Sequence, residues 1–473
     1  MNIHARLRST SRTHRPVAHQ VAGSAGILVL VALMVLLVAA EAQAYSSGQR
    51  IWVKTYGTAA HQVHVNALAT GPGGVACAVG RQGRSAADDW RGLVVKYSAA
   101  GRKLWARNYP GGTSTAFCDL TEVAFDAKGN VYVAGQLQPK GSTPDFAVIK
   151  YSPAGLFKWA KTYGGPDNLS DYPSGLVVDS LGNVYVSGTS QVSSSTFAVA
   201  AVKYDGAGRV KWRARTEPGA GSLSARDMAL DGARNIYVAG FYSESGGSSS
   251  MVVKYAGASG SQLAFEKYQP PAADGYAIGT SLAVRGSTVV VGGYGYASTA
   301  SQDQDALVVA YTLALKQRYA LLYDGAAHGS DAVFDVALDL KGNAYATGDA
   351  FVRSPYADAA QTFKVGPLGS VVWADAYLGA SNDAEGESVV VDGSGNAYVA
   401  GYAENASGYY NLLVAKYAAG TTAKRAWLRT WGGEYGADDA WSIVLGPTGT
   451  LYVGCEGQTK TGLSQGVVAK YAQ

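Results

Sequence analysis

Short apolar runs alternate with clusters of Gly, Asp and Asn along most of the chain. The clearest unit begins at Lys158 and contains, in order, the segments KWAKTYGG, SGLVVDSLGNVYVSG and FAVAAVKYDGAG, with loops between them. Apolar runs this short, rich in β-branched and aromatic residues and bounded by turn-forming residues, are typical of β-strands. No long stretch after the N-terminal segment has the 3.6-residue periodicity of an amphipathic helix. The pattern therefore predicts an all-β fold.

Two independent markers show that this unit recurs eight times. One is the residue that closes the GNVYVAG-like segment, which is Gly80, Gly135, Gly188, Gly240, Gly293, Gly348, Gly401 and, in the last copy, Cys455. The other ends a Lys-Tyr-like pair, and its positions are Tyr97, Tyr151, Tyr204, Tyr255, Tyr311, Val365, Tyr417 and Tyr471. Successive members of the first set are 52 to 55 residues apart. A fixed period of this length is typical of a repeat architecture.

Each copy contains four strand signals. The first two are joined by D-x-x-G-N, as at residues 179–183, where Asp, Gly and Asn favour a tight hairpin. The third signal contains AVIKY, and the fourth contains W-x-K-x-Y. Four short strands per repeat, repeated eight times, predict an eight-bladed β-propeller with four-stranded antiparallel blades.

The two ends of the chain complement each other in this scheme. Residues 51–56, IWVKTY, match a fourth strand, whereas the C-terminal VVAKYAQ matches a third strand. We therefore expect the N-terminal strand to complete the last blade. Such closure leaves the ring without free strand edges.

The first 44 residues have the features of a signal peptide. An uncharged apolar run at residues 26–40 and Ala42-Gln43-Ala44 follow four basic residues, Arg6, Arg8, Arg12 and Arg15. We predict a signal peptide over 1–44, cleavage before Tyr45, and a single propeller domain over 45–473 that is secreted or periplasmic/extracellular. The alternative is an uncleaved membrane anchor, although the run is shorter than the roughly 20 residues that span a bilayer.

Loss of this segment changes the charge balance. Four Arg and one Glu leave with it, so the net charge falls from +4 to +1, with 35 basic and 34 acidic residues remaining. No basic surface is then predicted, which argues against a nucleic-acid partner. We also expect no membrane insertion after cleavage, and a monomer.

The repeat pattern W-x-K-x-Y-G-G, A-x-x-V-x-x-D-x-x-G-N-V-Y-V-x-G and V-x-K-Y resembles the bacterial secreted β-propeller repeat family (SBBP) over residues 51–471. The resemblance implies an exported propeller and supplies no catalytic residues. The fifth and sixth copies depart most, because Ala264 or Phe265 and Tyr319 replace the Trp. A weaker similarity links residues 96–109 to the repeats of eight-bladed quinone-dependent dehydrogenases, which often carry adjacent Cys pairs. This chain has no adjacent Cys residues, so we interpret that similarity as features common to blades.

Residues that recur in every blade are best explained by packing between blades. This interpretation covers the six Trp residues at the fourth-strand position, although they invite a ligand-cage reading: Trp52, Trp105, Trp159, Trp212, Trp373 and Trp427. It covers the repeated Asp of D-x-x-G-N as well, which we assign to turn formation.

Function is expected instead where blades differ, in the loops from second to third and from fourth to first strand, which share one face. Their acidic residues are Asp119, Asp167, Asp171, Asp274, Asp331, Asp335, Asp383, Glu385, Asp438 and Asp439. Carboxylates around a central channel are able to bind Ca²⁺. The metal candidates are Asp171, Asp331, Asp335, Asp383, Asp438 and Asp439, and the alternative is a solvated polar rim. No other cofactor is predicted.

Four aromatic residues outside the repeated positions are candidates for ligand binding, because exposed rings stack on sugars or contact peptides. They are Trp90, Tyr409, Tyr410 and Trp441, with packing as the alternative for each.

His61, His64 and His328 are too few for a transition-metal site. The G-x-S-x-G match at 462–466 precedes a strand and not the helix that a nucleophile elbow needs. A disulfide between Cys77 and Cys455 stays open, because spacing does not give their separation.

The function that this sequence favours is a secreted binding or scaffold module for a protein or glycan, without catalytic activity. The alternative is a propeller enzyme, a lyase or hydrolase, that uses acidic residues at the central channel for acid–base chemistry, with or without Ca²⁺. A third reading is a structural component of an envelope or matrix. The fold does not distinguish these, because propellers support many unrelated functions.

Overall fold

The computed structural model describes residues 45–57, 61–83, 90–109, 115–139, 141–271, 275–296, 303–353, 357–423, 425–433, 438–447, 449–459 and 462–473. Residues 47–473 belong to one compact unit. The predicted signal peptide, residues 1–44, and Asp274 lie outside the described residues. Within the described ranges, no helix is long and apolar enough to cross a membrane.

In the described part of this unit, the regular elements are β-strands and a short 3₁₀ turn at Pro72–Gly74. The strands of the first four blades are β2 (Gln62–Gly71), β3 (Val75–Gly83), β4 (Arg91–Tyr97) and β5 (Lys103–Tyr109); β6 (Thr115–Phe125), β7 (Val131–Pro139), β8 (Asp145–Tyr151) and β9 (Phe157–Tyr163); β10 (Asp171–Val178), β11 (Val184–Gln191), β12 (Phe197–Tyr204) and β13 (Val210–Thr216); and β14 (Ser222–Leu230), β15 (Ile236–Glu244), β16 (Gly247–Tyr255) and β17 (Gln262–Tyr268).

Blades 5 to 8 repeat this arrangement. Their strands are β18 (Tyr276–Arg285), β19 (Thr288–Tyr296), β20 (Asp305–Thr312) and β21 (Gln317–Tyr323); β22 (Asp331–Leu338), β23 (Ala344–Arg353), β24 (Ala357–Val365) and β25 (Val371–Tyr377); β26 (Ala384–Val391), β27 (Ala397–Glu404), β28 (Tyr410–Tyr417) and β29 (Arg425–Trp431); and β30 (Asp439–Gly446), β31 (Thr450–Gln458), β32 (Ser464–Ala472) and β1 (Arg50–Tyr56).

The sheet topology confirms the predicted eight-bladed propeller and its closure. Every blade is a four-stranded antiparallel sheet in simple up-and-down order. The N-terminal β1 pairs with β32 and completes blade 8, with Val53 opposite Ala469. The first strand of each blade contacts the first strands of both neighbours, and the contact between β2 and β30 closes this inner ring. The first strands therefore surround the central channel.

The D-x-x-G-N segments form the turns that the sequence predicts. In blade 3, Asp179 Oδ1 accepts hydrogen bonds from the backbone N–H groups of Leu181 (2.9 Å) and Asn183 (2.8 Å). Its Oδ2 accepts from Asn183 Nδ2 and from the hydroxyl of Tyr185. Gly182 occupies a positive φ of 80°, which glycine adopts without strain. The repeated Asp thus has a structural role in the turn.

The repeated Trp residues join neighbouring blades. Trp105 of blade 1 lies over Gly155 of blade 2, and its Nε1–H donates to the carbonyl of Pro153 (3.0 Å). Lys96 donates to the same carbonyl (3.2 Å). The corresponding contacts recur at Trp52 with Ala99, Trp159 with Gly206, and Trp212 with Gly257. The predicted packing role is confirmed at these positions.

The fourth strands of blades 4 and 5 lack the Trp and keep this interface with different residues. The register places Ala264, and not Phe265, opposite Lys254, at the Trp position of blade 4. In blade 5, Leu315 replaces the turn glycine, is buried, and packs in the same cluster as Ala264. Tyr319 of blade 5 lies over Gly369 of blade 6, as the Trp residues do elsewhere. At both interfaces a small residue therefore packs against a large one: Ala264 with Leu315, and Gly369 with Tyr319.

Candidate functional site

A β-bulge lies at the same position in every first strand. The residues at the bulge are Asn66, Thr121, Ser174, Arg226, Thr280, Phe334, Glu387 and Trp441. A first strand pairs along one edge only, and both of its faces pack against neighbouring blades, so an exposed residue in mid-strand faces the channel. Arg226 and Trp441, which is 46% exposed, meet this condition. They belong to blades 4 and 8, on opposite sides of the ring.

In blades 4 to 7, the residue after the bulge connects neighbouring blades around the channel. Asp227 of blade 4 accepts from the backbone N–H of Leu282 in blade 5 (2.7 Å). Asp335 of blade 6 accepts from the hydroxyls of Ser281 (2.8 Å) and Ser388 (3.0 Å), in the blades on either side, and from Val389 N–H. The metal candidate Asp335 thus has both carboxylate oxygens engaged in hydrogen bonds between blades.

Glu122 occupies the same position in blade 2, but among the described residues it has no such hydrogen bond. Burial, and then the negative charge of Asp227, raise the pKa of Glu122 to about 8. Burial similarly raises the pKa of Asp227 to about 7, and the negative charge of Asp335 adds to this rise. Between these two carboxyl groups, blade 3 has Gly175, which has no side chain. Glu122 is therefore largely protonated at neutral pH and able to donate a hydrogen bond.

A pocket of about 720 Å³ lies next to Glu122, between blades 3 and 4. It opens on the upper face, the face with the connections from second to third and from fourth to first strand. Its aromatic residues are Tyr172, which is 41% exposed, Phe197 and Phe241. Arg226 lines the pocket with its guanidinium carbon 5.2 Å from the centre of the Phe241 ring. Six hydroxyl residues complete most of the lining: Ser174, Thr189, Ser195, Ser222, Ser224 and Ser243.

Three of the six metal candidates stabilise the loops between blades by hydrogen bonds to the loop backbone. One carboxylate oxygen of each accepts the backbone N–H of a glycine six or five residues earlier: Asp171 from Gly165 (2.6 Å), Asp331 from Gly325 (2.6 Å) and Asp438 from Gly433. These three side chains are buried and belong to blades 3, 6 and 8. Burial raises the pKa of Asp331 to about 7 and that of Asp438 to about 6.

The remaining metal candidates lie on the upper face near blades 7 and 8. Asp383 accepts a hydrogen bond from the hydroxyl of Tyr410 (2.9 Å), whose ring centre is 4.7 Å from that of Tyr402. Burial, and then the charges of Glu456, Glu385 and Asp383, raise the pKa of Asp439 to about 6. Across the residues that the structure describes, no three His, Cys, Asp or Glu side chains are arranged to hold a metal ion.

Trp90 belongs to a polar cluster between blades 8, 1 and 2. Its ring centre is 5.2 Å from that of His64 and 4.8 Å from the guanidinium carbon of Arg81. His64 Nδ1 contacts Glu456 Oε2 (2.8 Å), and Arg81 pairs with Asp119 (3.1 Å). The aromatic candidates thus separate into two groups, because Trp90 and Tyr410 have polar partners, whereas Tyr409 (55% exposed) and Trp441 are more open to solvent.

Two further sequence questions are answered by the structure. Cys77, Cys118 and Cys455 are all buried free thiols, so Cys77 and Cys455 do not form a disulfide. The G-x-S-x-G segment leads into β32 and not into a helix, which confirms that it is no nucleophile elbow.

Sequence reasoning missed Glu122, Arg226 and Tyr172. It searched the loops for differences between blades, whereas Glu122 and Arg226 lie inside first strands, at and next to the bulge. Comparing the eight first strands position by position reveals part of the signal, because Arg226 is the single basic residue among the eight bulge residues. Glu122 is one of three acidic residues at the next position, with Asp227 and Asp335.

Known proteins match this chain in its repeats and its fold. A family model described as "Beta-propeller repeat" (SBBP) matches residues 158–194 and 376–407, so these repeats are present at two places in the chain. Quinohemoprotein alcohol dehydrogenase from Comamonas testosteroni aligns with a TM-score of 0.52 and 12% identity, over 89% of this chain and 76% of that one. A search of curated proteins found no match.

Two further solved structures align less closely. The WD40 domain of SCAP from fission yeast has a TM-score of 0.49 and 8% identity, over 89% of this chain and 98% of that one. The polysaccharide lyase Uly1 has a TM-score of 0.48 and 12% identity, over 92% and 95%. At 12% identity, the similarity to the dehydrogenase shows a shared fold alone.

Proposed function

We propose that this protein is an exported β-propeller that binds a glycan on its upper face, in the pocket between blades 3 and 4, and that it acts by binding and not by catalysis. The observation that carries this proposal is the pocket itself. It combines aromatic side chains with six hydroxyl groups and one guanidinium group.

This combination suits a sugar better than an apolar ligand. Aromatic rings stack on the C–H faces of a sugar, and hydroxyl side chains both donate to and accept from its hydroxyl groups. The volume of about 720 Å³ lies within the roughly 300–1,000 Å³ of small-molecule sites. A groove for a folded protein partner is normally larger and flatter than this pocket.

The test is binding of soluble polysaccharides to the full chain, measured by calorimetry. Tyr172→Ala removes an exposed ring from the pocket, and we expect at least a tenfold loss of affinity. Tyr409→Ala is the matched control, because it removes an exposed ring from blade 7 on the same face. Equal affinities of the two variants contradict the proposed pocket, and capture of a protein with no glycan bound favours the protein alternative.

A second candidate function is that of a lyase or hydrolase, favoured by the raised pKa of Glu122 beside the pocket. A protonated carboxyl group near neutral pH is a suitable general acid. Incubation of the bound polysaccharide with wild type and with Glu122→Gln tests this function. Release of new sugar ends by wild type alone supports catalysis, and an unchanged polymer supports binding only.

Export and Ca²⁺ binding are separate parts of the proposal. N-terminal sequencing of the protein recovered outside the cytoplasm should begin at Tyr45 if the signal peptide is cleaved as expected. A Ca²⁺ ion that binds only the folded state raises the unfolding midpoint. No shift between millimolar Ca²⁺ and a chelator argues against a Ca²⁺ site.

A further inference from the structure

Resting on the proposed glycan pocket, we infer that its ligand is an acidic sugar, carrying a carboxylate or sulfate group, and that Arg226 binds that group. The inference specifies the ligand class of the site. It depends on the position of Arg226, on the residues around it, and on the absence of an ion pair between its side chain and any described residue.

The bulge in β14 presents Arg226 to the pocket. The register shifts between Ala225 and Asp227, so Arg226 is the extra residue of the strand. Its side chain is exposed although the strand lies at the centre of the ring. The Phe241 ring supports the guanidinium group at 5.2 Å and restricts its orientation. A bulge that turns a side chain toward a cavity is a common device at functional sites.

Two other arginines of the upper face are already paired. Arg81 contacts Asp119 (3.1 Å), and Arg215 contacts Asp167 (2.7 Å). The side chain of Arg226 has no hydrogen bond or ion pair within the described part of the chain. Its planar set of donors is therefore available to a ligand, and a carboxylate or sulfate fits such a set with two parallel hydrogen bonds.

The pocket contains little negative charge to oppose an anion. Glu122 is its one acidic lining residue, and burial raises its pKa to about 8, so it is mostly neutral at pH 7. The hydroxyl residues and Tyr172 extend the site well beyond the guanidinium group. The site is therefore shaped for a sugar that carries an anionic group and not for a free anion.

The test measures by calorimetry how tightly the full chain binds four probes: a polyuronate, dextran sulfate, neutral dextran and inorganic sulfate. We expect wild type to bind at least one acidic polymer at least tenfold more tightly than dextran. Arg226→Gln should remove this preference, and Arg226→Lys should restore only part of it, because Lys lacks the planar fork. Arg234→Gln is the control. Arg234 is an exposed residue of the same blade that takes the place of the glycine in the D-x-x-G-N turn, on the opposite face.

The outcomes separate this inference from the proposed function. Equal binding of acidic and neutral polymers, or a preference that survives Arg226→Gln, overturns the role of Arg226 and leaves the glycan pocket standing. Binding of no polymer, or binding unaffected by Tyr172→Ala, contradicts the pocket. Inorganic sulfate that competes as well as the polymers indicates a simple anion site and overturns the sugar specificity. An unchanged unfolding midpoint of Arg226→Gln shows that the loss is local.

Discussion

Replacing Glu122 by Gln should make the stability of the protein less dependent on pH. Burial and the charge of Asp227 raise the pKa of Glu122 from 4.5 to about 8. The folded chain therefore keeps this proton at pH values at which the unfolded chain has released it, and a rise in pH opposes folding. The stabilisation from the protonated group is complete below the unfolded pKa and is lost as the pH rises through the folded pKa.

These two pKa values set the size of the effect. Between about pH 5.5 and about pH 8.5, one such group lowers the free energy of unfolding by about 3 kcal/mol. Gln has nearly the shape of the protonated carboxyl group and does not ionise. The free energy of unfolding of the variant, relative to wild type, should therefore rise by about that amount over the same interval.

Denaturant unfolding followed by Trp fluorescence at several pH values provides the measurement. Asp179→Asn is a control of opposite sign: burial raises the pKa of Asp179, but the hydrogen bonds from Asn183, Tyr185 and Leu181 outweigh it and lower that pKa. The stabilisation from Asp179 is present above its unfolded pKa and lost as the pH falls through the folded value. Parallel pH profiles for wild type and Glu122→Gln would refute the reasoning about Glu122.

Three further predictions concern packing. Trp105→Ala should destabilise the fold by about 3–5 kcal/mol in denaturant unfolding, because it empties the interface between blades, whereas Trp105→Phe should cost less; equal effects contradict the packing role. Ala264→Trp should destabilise the fold by overpacking against Leu315, and adding Leu315→Gly should recover stability, which thermal unfolding of the single and double variants measures. The three buried thiols, Cys77, Cys118 and Cys455, should resist a thiol-labelling reagent in the native protein and react fully in denaturant. Rapid labelling of the native protein contradicts their burial.

The blade number and the strand order were predictable from the sequence, because local patterns specify them. In blade 3, the apolar run of β11 and the Asp179 turn before it are determined by neighbouring residues. The match of residues 51–56 to a fourth strand likewise predicted the closure by β1 that the structure shows. The strand and turn patterns recur in the other blades, so errors in one copy are corrected by the others.

The candidate site was less predictable, because its residues come from different blades. Arg226, Glu122 and Tyr172 are about 50 residues apart from blade to blade, and the packing of three consecutive blades, together with the bulge, brings them to one pocket. The metal candidates show the converse. Asp171, Asp331 and Asp438 share a loop position and suggest a ring of ligands, yet each is used locally to hold a glycine N–H.

The sequence by itself thus determined the architecture, because β-strand periodicity, turn residues and a regular repeat act over short distances along the chain. The tertiary structure alone decided which side chains meet. Contacts between blades depend on strand register, bulge position and burial, and these also determine which carboxyl groups keep their protons at neutral pH.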